Sequence, residues 1–175
     1  EPAVVEAVVP DETPLSVSQR LNLTPSGYSL LEEIAVLGRV LTGPLITAVS
    51  NLEGDDFLDA MDELVRNDIM LEELEAGNVH YRFAFEGLRK QVLKSIAPER
   101  RRLMHGEVAR KIEQDFRLER DAIGHVLARH YRRSNVPIRA AYYLLKTSEQ
   151  AALRGDLEGA LARLNDAAEL YRQDR

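Results

Sequence analysis

Residues Gly38-Arg39-Val40-Leu41-Thr42-Gly43 have the Gly-x4-Gly spacing of a loop that cradles phosphate with backbone N–H groups. Such a loop needs Lys and then Ser or Thr next, to reach phosphate oxygens and Mg²⁺, and here Pro44 and Leu45 follow. The stretch therefore reads as the end of one helix and the start of another, and no ATP hydrolysis is expected. The histidines are His80, His105, His125 and His130. The last two are five residues apart, about 140° around a helix at ~100° per residue, so they cannot share a metal as an i, i+4 pair would. His130, beside Tyr131 on an apolar face, reads as a core or interface histidine with a buried hydrogen-bond partner. There is no Cys. No carboxylate pair stands at ligand spacing and no nucleophile–base pair can be assembled, so no metal, cofactor or catalytic residue is expected here.

Charge is segregated along the chain. From Glu53 to Asp68 the acids are Glu53, Asp55, Asp56, Asp59, Asp62, Glu63 and Asp68, against Arg66 alone. Duplex phosphates, one per ~1.7 Å, would repel that segment, which offers only Arg66 and Asn67 for reading bases. From Arg89 to Lys111 the balance reverses: Arg89, Lys90, Lys94, Arg100, Arg101, Arg102, Arg110 and Lys111 oppose Glu99 and Glu107. This run is a solvated face with weak surface ion pairs, a site for an acidic partner, or a latch between two parts of the chain. No aromatic residues interleave these bases as single-stranded nucleic acid would require. Arg100, Arg101 and Arg102 are the candidate partner-binding residues of the run. Tyr142, Tyr143 and Tyr171 are core residues or the lining of a peptide-binding groove.

With 45% hydrophobic and 30% charged residues in a chain of 175, the composition is that of an ordinary globular protein able to bury ~70% of its unfolded surface. No apolar run exceeds six residues, Ala140 to Leu145, so no membrane-spanning helix is expected. The net charge of −6 argues against a general binder of nucleic acid or membranes. The chain opens at Glu1 without a signal-peptide pattern, which reads as a fragment of a longer protein, and with no Cys a cytoplasmic setting is expected.

The elements that must position these groups follow from periodicity. Pro2, Pro10, Pro14 and Pro25 mark residues 1–27 as a linker or tail, with one short helical turn near Leu15 to Leu23. Leu30, Leu31, Ile34, Ala35, Leu37 and Gly38 form a helix that Ser29 would cap and Gly38 would end. Gly43-Pro44 opens a second helix through Ile46, Val49 and Leu52. A third, capped by Asp55 or Asp56, carries Leu58, Met61, Leu64 and Val65. Ile69-Met70-Leu71 and the alternating Val79, Tyr81, Phe83, Phe85, around a Gly77-Asn78 turn, read as a β-hairpin. Three short helices and a two-stranded hairpin are the arrangement of a winged helix, over 28–98.

Beyond Phe85 every stripe is helical: Leu88, Val92 and Ile96 up to Pro98; Met104, Val108, Ile112 and Phe116; Ile123, Val126, Leu127, His130 and Tyr131; then Ile138 to Leu153 and Leu157 to Tyr171. Connections of two to five residues make neighbours antiparallel. Ala160, Leu164 and Ala167 repeat the spacing of Ala140, Leu144 and Thr147 twenty residues upstream. Small residues there let two helices approach while one bulky side chain fills the gap, the logic of a tetratricopeptide (TPR) repeat. The ~34-residue period of that repeat is not kept, so 99–175 is a TPR-like array. Its last helix still carries Leu161, Ala168 and Tyr171, so further repeats, or a second copy, are expected to cover it.

The order of Arg20-Leu21, Leu31, Ile34-Ala35-Val36-Leu37-Gly38-Arg39, Leu64 to Leu71, Tyr81-Arg82-Phe83, Leu88-Arg89, Arg100 to His105, Leu127-Ala128-Arg129-His130-Tyr131 and Ala140 to Ala151 resembles the helical region after the ATPase module of bacterial STAND-class NTPases, the ATPases joined to cyclases, kinases or LuxR-type regulators. The resemblance implies a winged helix followed by a TPR or other helical array that senses or docks partners, with ATP or ADP held only by an upstream module. It also implies a histidine after the second hairpin strand, in an F-x-H context, able to approach nucleotide phosphates. Phe85 stands at that position in Phe83-Ala84-Phe85, with His80 on the same strand. The expected function is non-catalytic: protein–protein contact or self-association and signal relay in a larger STAND-like signalling protein. The alternative is a DNA-binding winged-helix transcription regulator.

Overall fold

A computed structural model describes residues 21–39, 41–75, 77–116 and 120–173. These form a mainly helical chain with a small three-stranded antiparallel sheet. The order is α1 (Pro25–Leu37), β1 (Leu41–Thr42), α2 (Gly43–Val49), α3 (Gly54–Arg66), β2 (Met70–Glu75), β3 (Asn78–Phe83), α4 (Glu86–Ser95), α5 (Pro98–Asp115), α6 (Arg120–Arg133), α7 (Pro137–Leu153) and α8 (Leu157–Gln173). Residues 1–20 of the expected tail over 1–27, with most of its short helical turn, and the last two residues of the array lie outside the described residues.

The first helix starts earlier than its apolar spacing suggests. Pro25 occupies its first turn, where a missing N–H costs least, and Thr24 rather than Ser29 caps it, with Oγ1 accepting from the N–H of Gly27 at 3.1 Å. Residues 25–27 are therefore helix and not tail. Thr42 caps α2 in the same way, its Oγ1 accepting from the N–H of Leu45 at 3.4 Å, and that helix stops at Val49 without reaching Leu52. The third helix begins at Gly54 behind Glu53, which makes no side-chain capping bond, so neither Asp55 nor Asp56 is the cap.

The hairpin gains a third strand. Leu41 and Thr42 pair with Tyr81 and His80, so the sheet runs β1-β3-β2. Two residues carry no legible period, and their pairing depends on β3 offering a free edge. Asn78 is a strand residue and not part of the turn, since it pairs with Glu75, and β2 extends through the exposed Glu72, Glu73 and Glu75. Phe85 is not on the strand: β3 ends at Phe83, and Phe85 precedes the first turn of α4 with its ring in solvent.

A single apolar cluster runs from Leu30 on α1 to Leu170 on α8. Its centre is α1, enclosed by α2, α3, α4 and α5, with Leu30 to Leu37 all buried, Glu32 and Glu33 included. The chain leaves α1 through Gly38 at φ +125°, a value that favours glycine. A Cβ there would also lie 2.8 Å from an Nη of Arg129. Helices α6, α7 and α8 follow as consecutive antiparallel hairpins.

Candidate functional site: a charged junction and an uncovered helix face

Helix α5 is the hub on which the N-terminal and C-terminal elements meet. Near its start Arg100 reaches Glu32 of α1 with both terminal nitrogens, at 2.6 and 3.3 Å. Burial raises the Glu32 carboxyl above its ordinary pKa, and the Arg100 guanidinium partly counters that. One residue on, about 100° further round α1, Glu33 accepts from the backbone N–H and side-chain amide of Asn51, at 3.3 and 2.5 Å. Burial raises its pKa too, offset by these bonds and by Lys111. The ammonium of Lys111 donates to the carbonyls of Val49 and Ser50 and to Oδ1 of Asn51, at 2.7–3.0 Å, and so caps the open end of α2.

A second contact lies at the end of α1. Nε2 of His130 is 3.1 Å from the Leu37 carbonyl, an Nη of Arg129 donates to the same oxygen at 2.8 Å, and Nδ1 of His130 is 3.0 Å from Nδ1 of His105. Burial lowers both histidine pKa values, to about 4 for His105 and about 3 for His130, helped by Arg133, Arg129, Arg101 and Arg89 at the former and by His105 and Arg129 at the latter. Arg89 adds a bond from Nε to the Ala35 carbonyl at 3.1 Å. Cations at a helix C-terminus complement its dipole.

The third knot is Glu113, near the far end of α5. It accepts from the hydroxyl of Tyr131, from the hydroxyl of Tyr143 at 2.5 Å and from the guanidinium of Arg139. The tyrosine rings stack with centroids 5.9 Å apart, and burial beside Glu113 pushes the Tyr131 phenol up to about 12.

The candidate residues of the basic run therefore separate. Arg100 is bound to Glu32, and Arg101 donates to the Leu93 carbonyl at 2.8 Å. Arg102 is exposed and has no ion-pair or hydrogen-bond partner among the described residues. The tyrosines separate too. Tyr143 is buried in the Glu113 knot, while Tyr142 and Tyr171 are exposed. Of the repeat-like positions, Ala140, Thr147, Ala160 and Ala167 are buried between α6, α7 and α8, and Leu144 is half-buried. Leu164, expected to fill the gap between helices, points out and is 43% exposed. A glycine the spacing missed makes a close approach between helices: a Cβ on Gly124 of α6 would lie 2.8 Å from Cγ2 of Thr147 on α7.

Helix α8 thus has two apolar faces. Ala160, Ala167 and Leu170 pack inward, whereas Leu157, Leu161, Leu164 and Tyr171, with Ala168 between them, recur four and three residues apart along solvent. Leu157 is 70% and Leu161 59% exposed. The acidic residues of α3 are also largely exposed: Glu53, Asp55, Asp56, Asp59 and Asp62 face water.

Sequence reasoning missed Glu32, Glu33, Glu113 and the His105–His130 contact. The first two carried a signal, since adjacent carboxylates inside the apolar run from Leu30 to Leu37 must be either buried with partners or a break in the face. Among the described residues no three His, Asp or Glu side chains converge as a metal site, and no helix is long and apolar enough to cross a membrane. The chain matches no family model, no curated protein and no solved structure.

Proposed function

We propose that the chain is a non-catalytic interaction and relay segment of a larger STAND-like ATPase signalling protein, in which a winged-helix unit over 28–98 is joined to a TPR-like array over 99–175. The order helix, strand, helix, helix, strand, strand over α1 to β3 supports the first unit. Consecutive antiparallel hairpins with small residues at their contacts support the second. The three knots on α5 supply the relay, because a displacement of α6 or α7 is felt at the end of α1.

The observation that carries the reading is the uncovered stripe Leu157, Leu161, Leu164, Ala168, Tyr171. A 4-3-4-3 apolar spacing is the seam of a paired helix. Its occupant is a second copy of this chain. The flank of the stripe not occupied by α7 carries Glu158, Asn165 and Arg172. Two α8 helices laid antiparallel bring Glu158 of each copy to the Arg172 end of the other, and the opposed dipoles agree with that direction.

Sedimentation velocity over a concentration series tests this. The wild-type chain should dimerise, and Leu161→Glu with Leu164→Glu should be monomeric with unchanged helicity. A wild-type chain that stays monomeric throughout, or a double variant that still dimerises, overturns the reading. The alternative of DNA binding is disfavoured by the exposed acids of α3, and salt-sensitive duplex binding in a mobility-shift titration would restore it.

A further inference from the structure

We propose that the cleft between the end of α4, the first turn of α5 and the last turn of α6 binds a small phosphate-bearing molecule. It has a volume of about 530 Å³, in the range of small-ligand sites, and Arg101, Arg102, Arg133, His105 and Glu99 are among the residues lining it.

Charge points to the ligand class. Arg101, Arg102 and Arg133 put three guanidiniums on the cleft wall, and Arg89 and Arg129 behind it lie close enough to His105 to repel its proton, as Arg101 and Arg133 do. Among the described residues Glu99 is the carboxylate lining the cleft, and Glu86 acts on Arg89. Glu86 is already engaged by Arg39 and Arg89 at 3.3 Å. Helix capping accounts for Arg89 and Arg129, whose guanidiniums hold the Ala35 and Leu37 carbonyls. One bond of Arg101 is used on Leu93. Arg102 and Arg133 have no carboxylate and no hydrogen-bond acceptor among the described residues.

A single carboxylate would leave this group strongly cationic. A phosphate group, with up to two charges and three acceptor oxygens, matches planar guanidinium forks far better. The cleft has no Tyr, Phe or Trp among its lining residues, so base stacking does not help hold a nucleic-acid strand. The site goes beyond self-association through α8 and is independent of it. Its placement matters because His105, which lines the cleft, meets His130, and His130 holds the Leu37 carbonyl, so a ligand there acts on the junction between the two halves.

The probe is inorganic pyrophosphate, titrated calorimetrically at constant ionic strength, with citrate as a polyanion lacking phosphate. Pyrophosphate should bind saturably at one site per chain. Arg102→Gln with Arg133→Gln should weaken it at least tenfold, as loss of charge-assisted bonds requires. The Arg110→Gln control should not change it, and Glu99→Gln should tighten it by roughly twofold to fivefold. Arg102 and Arg133 are solvent-exposed, so circular dichroism should show the double variant folded. If that variant does not fold, Glu99→Gln and chemical-shift changes confined to His105 and the arginines replace it. No saturable binding, equal binding by the double variant, or equal binding of citrate overturns the proposal. Oligomeric state is read separately, so failure here does not bear on the α8 seam.

Discussion

Nδ1 of His105 and Nδ1 of His130 face each other 3.0 Å apart in the core, and one carbonyl fixes which of them carries the proton. The Leu37 oxygen can only accept, so Nε2 of His130 donates to it and Nδ1 of His130 is bare. His105 must then donate from Nδ1. Both rings are neutral, and each link of the chain His105, His130, Leu37 sits on a different helix.

Acid should therefore unfold the chain through this pair. Above the ordinary histidine value of 6.5, both rings are neutral whether the chain is folded or not, and the pair adds no pH dependence. Below it, the unfolded chain takes up two protons that the folded chain refuses until about pH 4 at His105 and about pH 3 at His130. Stability is lost across that window with a slope approaching about 1.4 kcal/mol per pH unit for each histidine. Urea unfolding at about pH 7 and pH 5 should show the loss, and His105→Phe should flatten it. Parallel profiles for the wild type and the variant would rule the neutral pair out.

Arg100 and Glu32 tie α5 to α1 with unequal burial: Glu32 is buried, whereas the Arg100 side chain is more than half exposed. Arg100→Met should cost about 1 to 3 kcal/mol, because it leaves a buried carboxylate without its cation. Glu32→Gln in the same chain should recover part of that loss. Denaturation midpoints for the two single variants and the double variant give the coupling directly.

Glu113→Leu should be more damaging than Glu113→Gln. Leucine takes the acceptor from two buried hydroxyls, at about 2 to 4 kcal/mol in total, while glutamine keeps an acceptor and loses only the charge facing Arg139. Near-ultraviolet circular dichroism should report the loss of the Tyr131–Tyr143 stack in the leucine variant alone.

Gly124→Ala sets two opposed effects against each other. Alanine favours helix by about 1 kcal/mol over glycine, but its Cβ meets the Thr147 methyl at 2.8 Å, and overpacking costs about 1 to 3 kcal/mol. The net expectation is destabilisation. Thr147→Ser removes the methyl and keeps the hydroxyl bond to the Leu144 carbonyl, so the double variant should regain stability. A thermal melt of all three variants checks this, and a stabilised single variant would show that α6 and α7 can move apart freely.

Helix positions were legible because they are written locally. Apolar residues three and four apart, Pro44 in a first turn, Pro98 and Pro137 as breaks between stripes, and Gly38 at an end each act within one turn of chain. The β2–β3 hairpin was legible for the same reason. The cap of α1 was missed because Thr24 lay in what read as tail, although Pro25 beside it marks the helix start.

What only the tertiary structure decided is how each face is covered. Periodicity gives α8 two apolar faces and cannot say which one meets α7, so Leu164 was placed inward and stands outward. It gives β1 nothing, because two residues have no period. It cannot tell that Arg100 is held by Glu32 while Arg102 is free, since the partners lie 68 residues apart for the first and are absent among the described residues for the second. Burial and pairing join groups that are distant in the chain, and only packing brings them together.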